Sequence, residues 1–131
     1  MGAASQSLSS EPVTRDECLR LLREANVARV LLSVGALPAA LPARIQLVGT
    51  DHLVISSREN AVLVAARRGD VISVQIDGLD PDDRTWSVTV TGIAASAPSN
   101  TLDAEGFKRP VDPRATLIVL PLSVVIGRRE H

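Results

Sequence analysis

From Thr85 to Ala94 the chain alternates with a period of two. Trp86, Val88 and Val90 fall on one side, and Thr85, Ser87, Thr89 and Thr91 on the other. The β-branched content and strict alternation predict a strand with two distinct faces, one of them in a core. The hydroxyl face is left with two readings, solvent or the lining of a ligand groove or subunit contact. The period changes at Thr14-Arg15-Asp16-Glu17, a capping box in which the Thr14 hydroxyl and Glu17 carboxylate can satisfy the first free amides of a helix. Cys18, Leu21, Leu22 and Ala25 then recur at helical spacing, an apolar stripe on one short amphipathic helix.

Further strands are predicted over residues 27–34 and 39–48, with a turn at Gly35 to Pro38 and an edge or bulge at Pro42. Gly49 to His52 is a turn that closes a hairpin with 53–57. Asn60 is placed as the N-cap of a two-turn helix over 61–68, with Gly69 ending it. Residues 71–76 alternate again. They lead through the solvated acidic loop Asp77, Asp80, Asp82, Asp83 into the Trp86 strand. Residues 96–113, punctuated by prolines, read as a long connection with a turn of helix at 102–107. Strands follow at 115–120 and 123–126, before a polar tail at 127–131. Six or seven hairpin-connected strands with an N-terminal helix and a short helix between strands predict a mainly β fold, a small antiparallel barrel. The connections are too short for a parallel α/β sheet.

At 131 residues the chain reads as one domain, residues 13–131, behind a disordered lead-in over 1–12. The lead-in has neither a basic start nor an apolar core, so it is no signal peptide, and no apolar run is long enough to span a bilayer. A cytoplasmic protein is expected. The formal net charge of −1 offers no field for nucleic acid, and only 2% of residues are aromatic, too few for a base-stacking platform. The single cysteine excludes an internal disulfide and a multi-cysteine metal site. Cys18 lies on the apolar stripe and is expected as a small buried hydrophobe. No nucleophile–base or metal-ligand spacing is present.

The order of these segments carries a resemblance. The helix through Glu17-Cys18-Leu19-Arg20-Leu21-Leu22 leads into Val27-Ala28-Arg29-Val30-Leu31 and Leu37-Pro38-Ala39-Ala40-Leu41-Pro42. A strand into a short helix follows, then Asp77, Trp86-Ser87-Val88 and Gly127-Arg128-Arg129. From about Thr14 to Arg129 the chain resembles the pyridoxamine 5'-phosphate oxidase-like family of split β-barrels, in its small actinobacterial form. The resemblance implies an obligate homodimer with flavin mononucleotide (FMN), or a deazaflavin in some branches, held in two grooves between subunits.

In that family an arginine and a threonine end the third strand. A glycine, a small hydroxyl residue and a lysine then open the next helix, and together they grip the phosphate. The matching positions here are Ser56 and Ser57, then Asn60, Ala61 and Val62. An aromatic three residues after the second-strand proline is Ile45 here, whereas Trp86 and Ser87 match. Arg58, Arg44 and the amides of the Asn60 helix start are the groups that could replace the lost cations. The expectation is therefore a split-barrel binding module with weakened or lost FMN binding. The alternatives are a flavin- or deazaflavin-dependent oxidoreductase with a rearranged grip, and a structural subunit that pairs with a paralogue.

Overall fold

The computed structural model describes residues 10–97, 107 and 114–131. Nine strands and two helices follow one another as β1 (Ser10–Val13), α1 (Arg15–Glu24), β2 (Val27–Val34), β3 (Leu37–Val48), β4 (His52–Ser57), α2 (Asn60–Arg68), β5 (Val71–Leu79), β6 (Thr85–Ile93), β7 (Ala95–Ser96), β8 (Thr116–Pro121) and β9 (Val124–Glu130). All strands join one antiparallel sheet in the order β1-β9-β6-β5-β2-β3-β4-β8-β7. Seven are the expected strands. The other two, β1 and β7, are short and sit at the two ends of the sheet, where a short strand limits pairing with foreign edges.

The sheet rolls up until β6 meets β8, although four strands separate them in the order. The contact is close at Gly92, where an added Cβ would lie 2.8 Å from the Pro121 carbonyl oxygen. Val88 and Val90 of β6 are fully buried with Val30, Leu53, Ile55, Ile72, Val74, Ile118 and Leu120, so one face of the Trp86 strand enters the core as predicted. Burial pushes the Cys18 thiol up from its ordinary pKa, with a smaller contribution from the Glu17 charge, and leaves it a buried hydrophobe.

Several boundaries differ from the expectation. The β2–β3 hairpin turns on Gly35 and Ala36 alone, both at positive φ, as in the two-residue turns that match strand twist. β3 therefore starts at Leu37 and runs through Pro38 and Pro42 unbroken. The register pairs Ser33 with Pro38 and Arg29 with Pro42. Alternation from the two-residue turn makes both of these non-hydrogen-bonded pairs, so each proline nitrogen points away from β2. β4 joins β3 only from Arg44 onward, and the prolines remove no ladder bond.

Ser10 to Pro12, expected within the lead-in, belong instead to β1, which pairs with β9 from Ser10. The polar tail is also a strand: β9 reaches Glu130 between β6 and β1. Gly127 fits there because it carries no Cβ, which would lie 2.4 Å from Cys18 Sγ. Thr14 caps α1 by accepting from the Glu17 amide at 3.3 Å, while the Glu17 carboxylate turns to Arg20 instead of completing the box. Residues 102–106 of the expected helical turn lie outside the described residues, and Phe107 is not helical.

Candidate functional site

β4 ends in Ser56 and Ser57 because a short apolar strand gives way there to small polar residues before a helix of high propensity, Ala-Val-Leu-Val-Ala-Ala. Ser56 pairs directly with Arg44 of β3 on one side and Leu117 of β8 on the other. Arg44 is exposed and makes no ion pair among the described residues. Ser57 is buried, and its Oγ accepts a hydrogen bond from the Glu59 amide at 3.0 Å. Its hydroxyl is thus used to shape the turn into α2.

The N-cap of α2 is Glu59, one residue before the expected Asn60, and its side chain caps no amide. The Val62 and Leu63 amides both close on the Glu59 carbonyl, at 3.1 and 3.2 Å. The Asn60 and Ala61 amides have no acceptor among the described residues. Glu59 itself is exposed, and its carboxylate has no ion-pair partner there. Arg58 is exposed on the segment that joins β4 to α2. Val62 has no exposed surface at all and belongs to the core cluster. It is held there by the apolar face that α2 lays on the sheet, together with Ala65 and Ala66.

Trp86 and Ser87 are elsewhere. They open β6, whereas the approach of β6 to β8, the neighbour of β4, is made at Gly92 near the other end of the strand. Strand geometry also sends the two side chains to opposite faces. Trp86 turns inward, packs against the core and lies over Gly78, where an added Cβ would meet the indole at 2.9 Å. Ser87 turns outward, between Asp77 of β5 and Arg128 of β9.

An open groove of about 550 Å³ lies along this end of the sheet, bordered by Asp77, Leu79, Trp86, Ser87, Arg128 and Glu130. Asp77 forms an ion pair with Arg29, both groups about half exposed, a setting in which such a pair adds little stability. The groove is held from below by Asp80. Its Oδ1 accepts from the amides of Asp82 and Arg84 at 2.9 and 3.0 Å, and its Oδ2 meets Arg84 Nε at 3.2 Å and Arg129 Nε at 3.4 Å. Only the Arg84 contact has hydrogen-bond geometry; the Arg129 Nε is buried without a hydrogen bond. The Arg84 amide above all, helped by the Asp82 amide and the Arg84 charge, holds the Asp80 carboxyl below the usual carboxylate range. Arg84 reaches on to Glu11 of β1 at 3.5 Å.

The acidic loop is ordered around Asp80, while Asp77, Asp82 and Asp83 are exposed to solvent. No cluster of metal-ligating side chains occurs among the described residues. Sequence reasoning missed Glu59, Gly78, Arg128 and Glu130. The available signal was the period of β6 carried across to its neighbours, once Gly127-Arg128-Arg129-Glu130 is read as a strand and not as a tail.

The Ser56 corner offers an anion two free amides, against the Glu59 carboxylate. The groove offers a wall on which Leu79 and Trp86 supply apolar surface beside Asp77, Ser87, Arg128 and Glu130. No helix among the described residues is long and apolar enough to cross a membrane.

Comparison with known proteins agrees with this architecture. The family model described as pyridoxamine 5'-phosphate oxidase matches residues 14–116. An uncharacterised protein of Mycobacterium tuberculosis, Rv0080, is 32% identical over 132 residues, covering 88% of this chain and 82% of its own. The solved FAD-binding protein of Mycobacterium smegmatis superposes with a TM-score of 0.68 at 19% identity, over 93% of this chain and 99% of that one. An FAD-binding protein of Mesorhizobium loti gives 0.74 at 18% identity, over 95% and 100%. The chain belongs to the pyridoxamine 5'-phosphate oxidase family and has its split β-barrel fold.

Proposed function

We propose that this chain is a homodimeric split-barrel binding module in which the FMN phosphate grip has been given up, so that a flavin is held weakly. The burial of Val62 carries this reading. The position at which flavin-binding relatives present a lysine is here part of the core, with 0% of its surface exposed. Ser56 replaces the arginine, and the Ser57 hydroxyl is engaged by the Glu59 amide. Charge-assisted hydrogen bonds contribute roughly 1.5–3 kcal/mol each, so two lost cations cost about 3–6 kcal/mol. That weakens binding roughly 10²- to 10⁴-fold. The FAD-binding neighbours support a flavin-type ligand class, with a deazaflavin as the alternative to FMN.

The outer face around β6 presents Thr89 and Thr91 beside Val124 and Ile126 of β9, which are 48% and 49% exposed. We infer that this face is the one buried against a second copy. Obligate dimers cover such mixed, largely apolar faces with more than about 2,000 Å² of buried surface. We place the dimer in the cytoplasm.

One observation favours a second reading, a flavin- or deazaflavin-dependent oxidoreductase with a rearranged grip. Arg44 stands opposite Ser56 and is unpaired among the described residues, so with Arg58 and the α2 amides it could take a phosphate. The visible spectrum of the purified protein separates the two readings. The module is colourless, and sedimentation gives a mass near twice 13.9 kDa. A yellow protein would favour the oxidoreductase, and a stable monomer at micromolar concentration would remove the dimer.

A further inference from the structure

We propose that β1 is a strap along one side of the Trp86 groove, hinged at Val13 and latched by the Glu11–Arg84 ion pair, which opens while the rest of the barrel stays folded. Ser10 lines the groove and pairs with Glu130 of its wall, so the strand is part of the border of the site. Its hold on the sheet is slight. β1 is four residues long, pairs with β9 alone, and has no fully buried side chain. Val13 is its one residue packed on the core. Alternation across the β6–β9–β1 ladder makes Glu11–Arg129 and Val13–Gly127 the hydrogen-bonded pairs, and puts Pro12, opposite Arg128, in the unbonded position. A short, half-exposed edge of this kind lies at the low end of local stability.

The neighbours of β1 are held without it. Thr14 caps α1 by accepting from the Glu17 amide at 3.3 Å, so the helix has its own start beyond the hinge. β9 keeps its ladder to β6 from Val124 to Arg129. Arg84 stays bonded to Asp80 through Nε at 3.2 Å when its Nη1 releases Glu11 at 3.5 Å, so the floor of the groove does not depend on the strap. Glu11 is the only charged residue of β1, and it faces Arg84 and, across the ladder, Arg129. The Arg84 and Glu11 side chains are 34% and 44% exposed, a setting in which salt weakens the latch. Opening uncovers the Gly127 and Arg129 amides, which face β1, and leaves those of Ile126 and Arg128 bonded to β6. The strap works in this way whatever ligand the groove takes.

The test is amide hydrogen exchange, followed by NMR on the full chain and on Glu11→Gln at low and high salt. The substitution keeps the size of a partly exposed side chain, and urea unfolding of both proteins supplies the global stability for reference. The Gly127 and Arg129 amides should be at least tenfold less protected than those of Ile126 and Arg128 in the same strand. Glu11→Gln should lower the protection of the first pair by about two- to fivefold and leave the second pair unchanged, and high salt should do the same to the parent alone. Equal protection of all four amides in the parent overturns the strap. A difference that neither Glu11→Gln nor salt alters overturns the latch. Faster exchange of all four together in Glu11→Gln also overturns the proposal, because it reports a weaker barrel and not an independent opening.

Discussion

The Ser56 corner and the Trp86 groove are built differently, the corner from a few side chains at a strand end and a helix start, the groove from the register of paired strands. At the corner two of the matching positions have been turned to structural use, Val62 filling the core and Ser57 shaping the turn, while the first α2 amides are left open. At the groove the backbone frame is intact and open, with Gly78 and Gly127 admitting close neighbours and Asp80 holding the loop. On the function proposed above, the fold keeps the wall of a ligand site and loses its anchor, because the wall is built from ladder register and the anchor from a few exchangeable side chains.

The largest test of that contrast is Val62→Lys. If the corner were still a grip, the lysine would restore it. Because Val62 is fully buried, the substitution should instead cost about 3–5 kcal/mol, a large part of the stability of a small domain. Urea unfolding measures this. A Val62→Lys protein as stable as the parent, with tighter FMN binding, would break the comparison.

Gly127→Ala tests the groove side. The new Cβ would lie 2.4 Å from Cys18 Sγ and 2.8 Å from Val13 Cβ, pressing β9 away from α1 and β1. A cost of about 1–3 kcal/mol is expected in thermal denaturation, with partial recovery in Gly127→Ala/Cys18→Ala. No recovery would mean that β9 does not pack on Cys18 in this way.

Much of the barrel was readable because its strands are paired on alternating residues. β2 matches its expected limits, and β6 buries Val88 and Val90 as its period demands. The errors arise where long-range pairing overrides local signals. Pro38 and Pro42 read as breakers, yet their nitrogens face an unpaired side of β3. Gly127-Arg128-Arg129-Glu130 reads as a tail because its apolar content is low, and only β6 on one side and β1 on the other make it a strand. Arg44, Ser56 and Ser57 do meet at one corner, but Glu59 could not be found from a family pattern that assigns it no role. Trp86 and Ser87 proved to face opposite sides of β6, which the alternation of that strand already contained.

Ser56→Arg sharpens the comparison from the corner. Ser56 is partly exposed beside Arg44, so a guanidinium there can reach a phosphate without entering the core. FMN binding should tighten by about tenfold, the effect of one charge-assisted bond partly offset by the neighbouring Arg44. Isothermal calorimetry of both proteins decides it, and no gain would mean that the corner and the groove do not share a ligand.

The smallest expected effect concerns pH. The folded-state pKa of Asp80 is depressed, so its contribution to stability is present above the unfolded carboxylate value of about 3.9 and is lost as pH falls through the folded value. Glu17 is lowered by its bond to Arg20 and carries the same sign, so the informative quantity is the difference between proteins. Thermal midpoints should be level from neutral pH to about 5 and fall in more acid solution. Asp80→Asn should start a few degrees lower and fall less steeply. Identical acid slopes would remove Asp80 from the loop that frames the groove.

The central claim is that this split barrel keeps its groove and has lost its hold on the phosphate of FMN. Its most direct test is the dissociation constant of FMN for the parent protein, read from the fluorescence of Trp86, the one tryptophan of the chain. The account predicts a protein that purifies colourless and a constant no tighter than tens of micromolar, an order of magnitude set by the two lost charge-assisted bonds. A yellow protein with a submicromolar constant would contradict it.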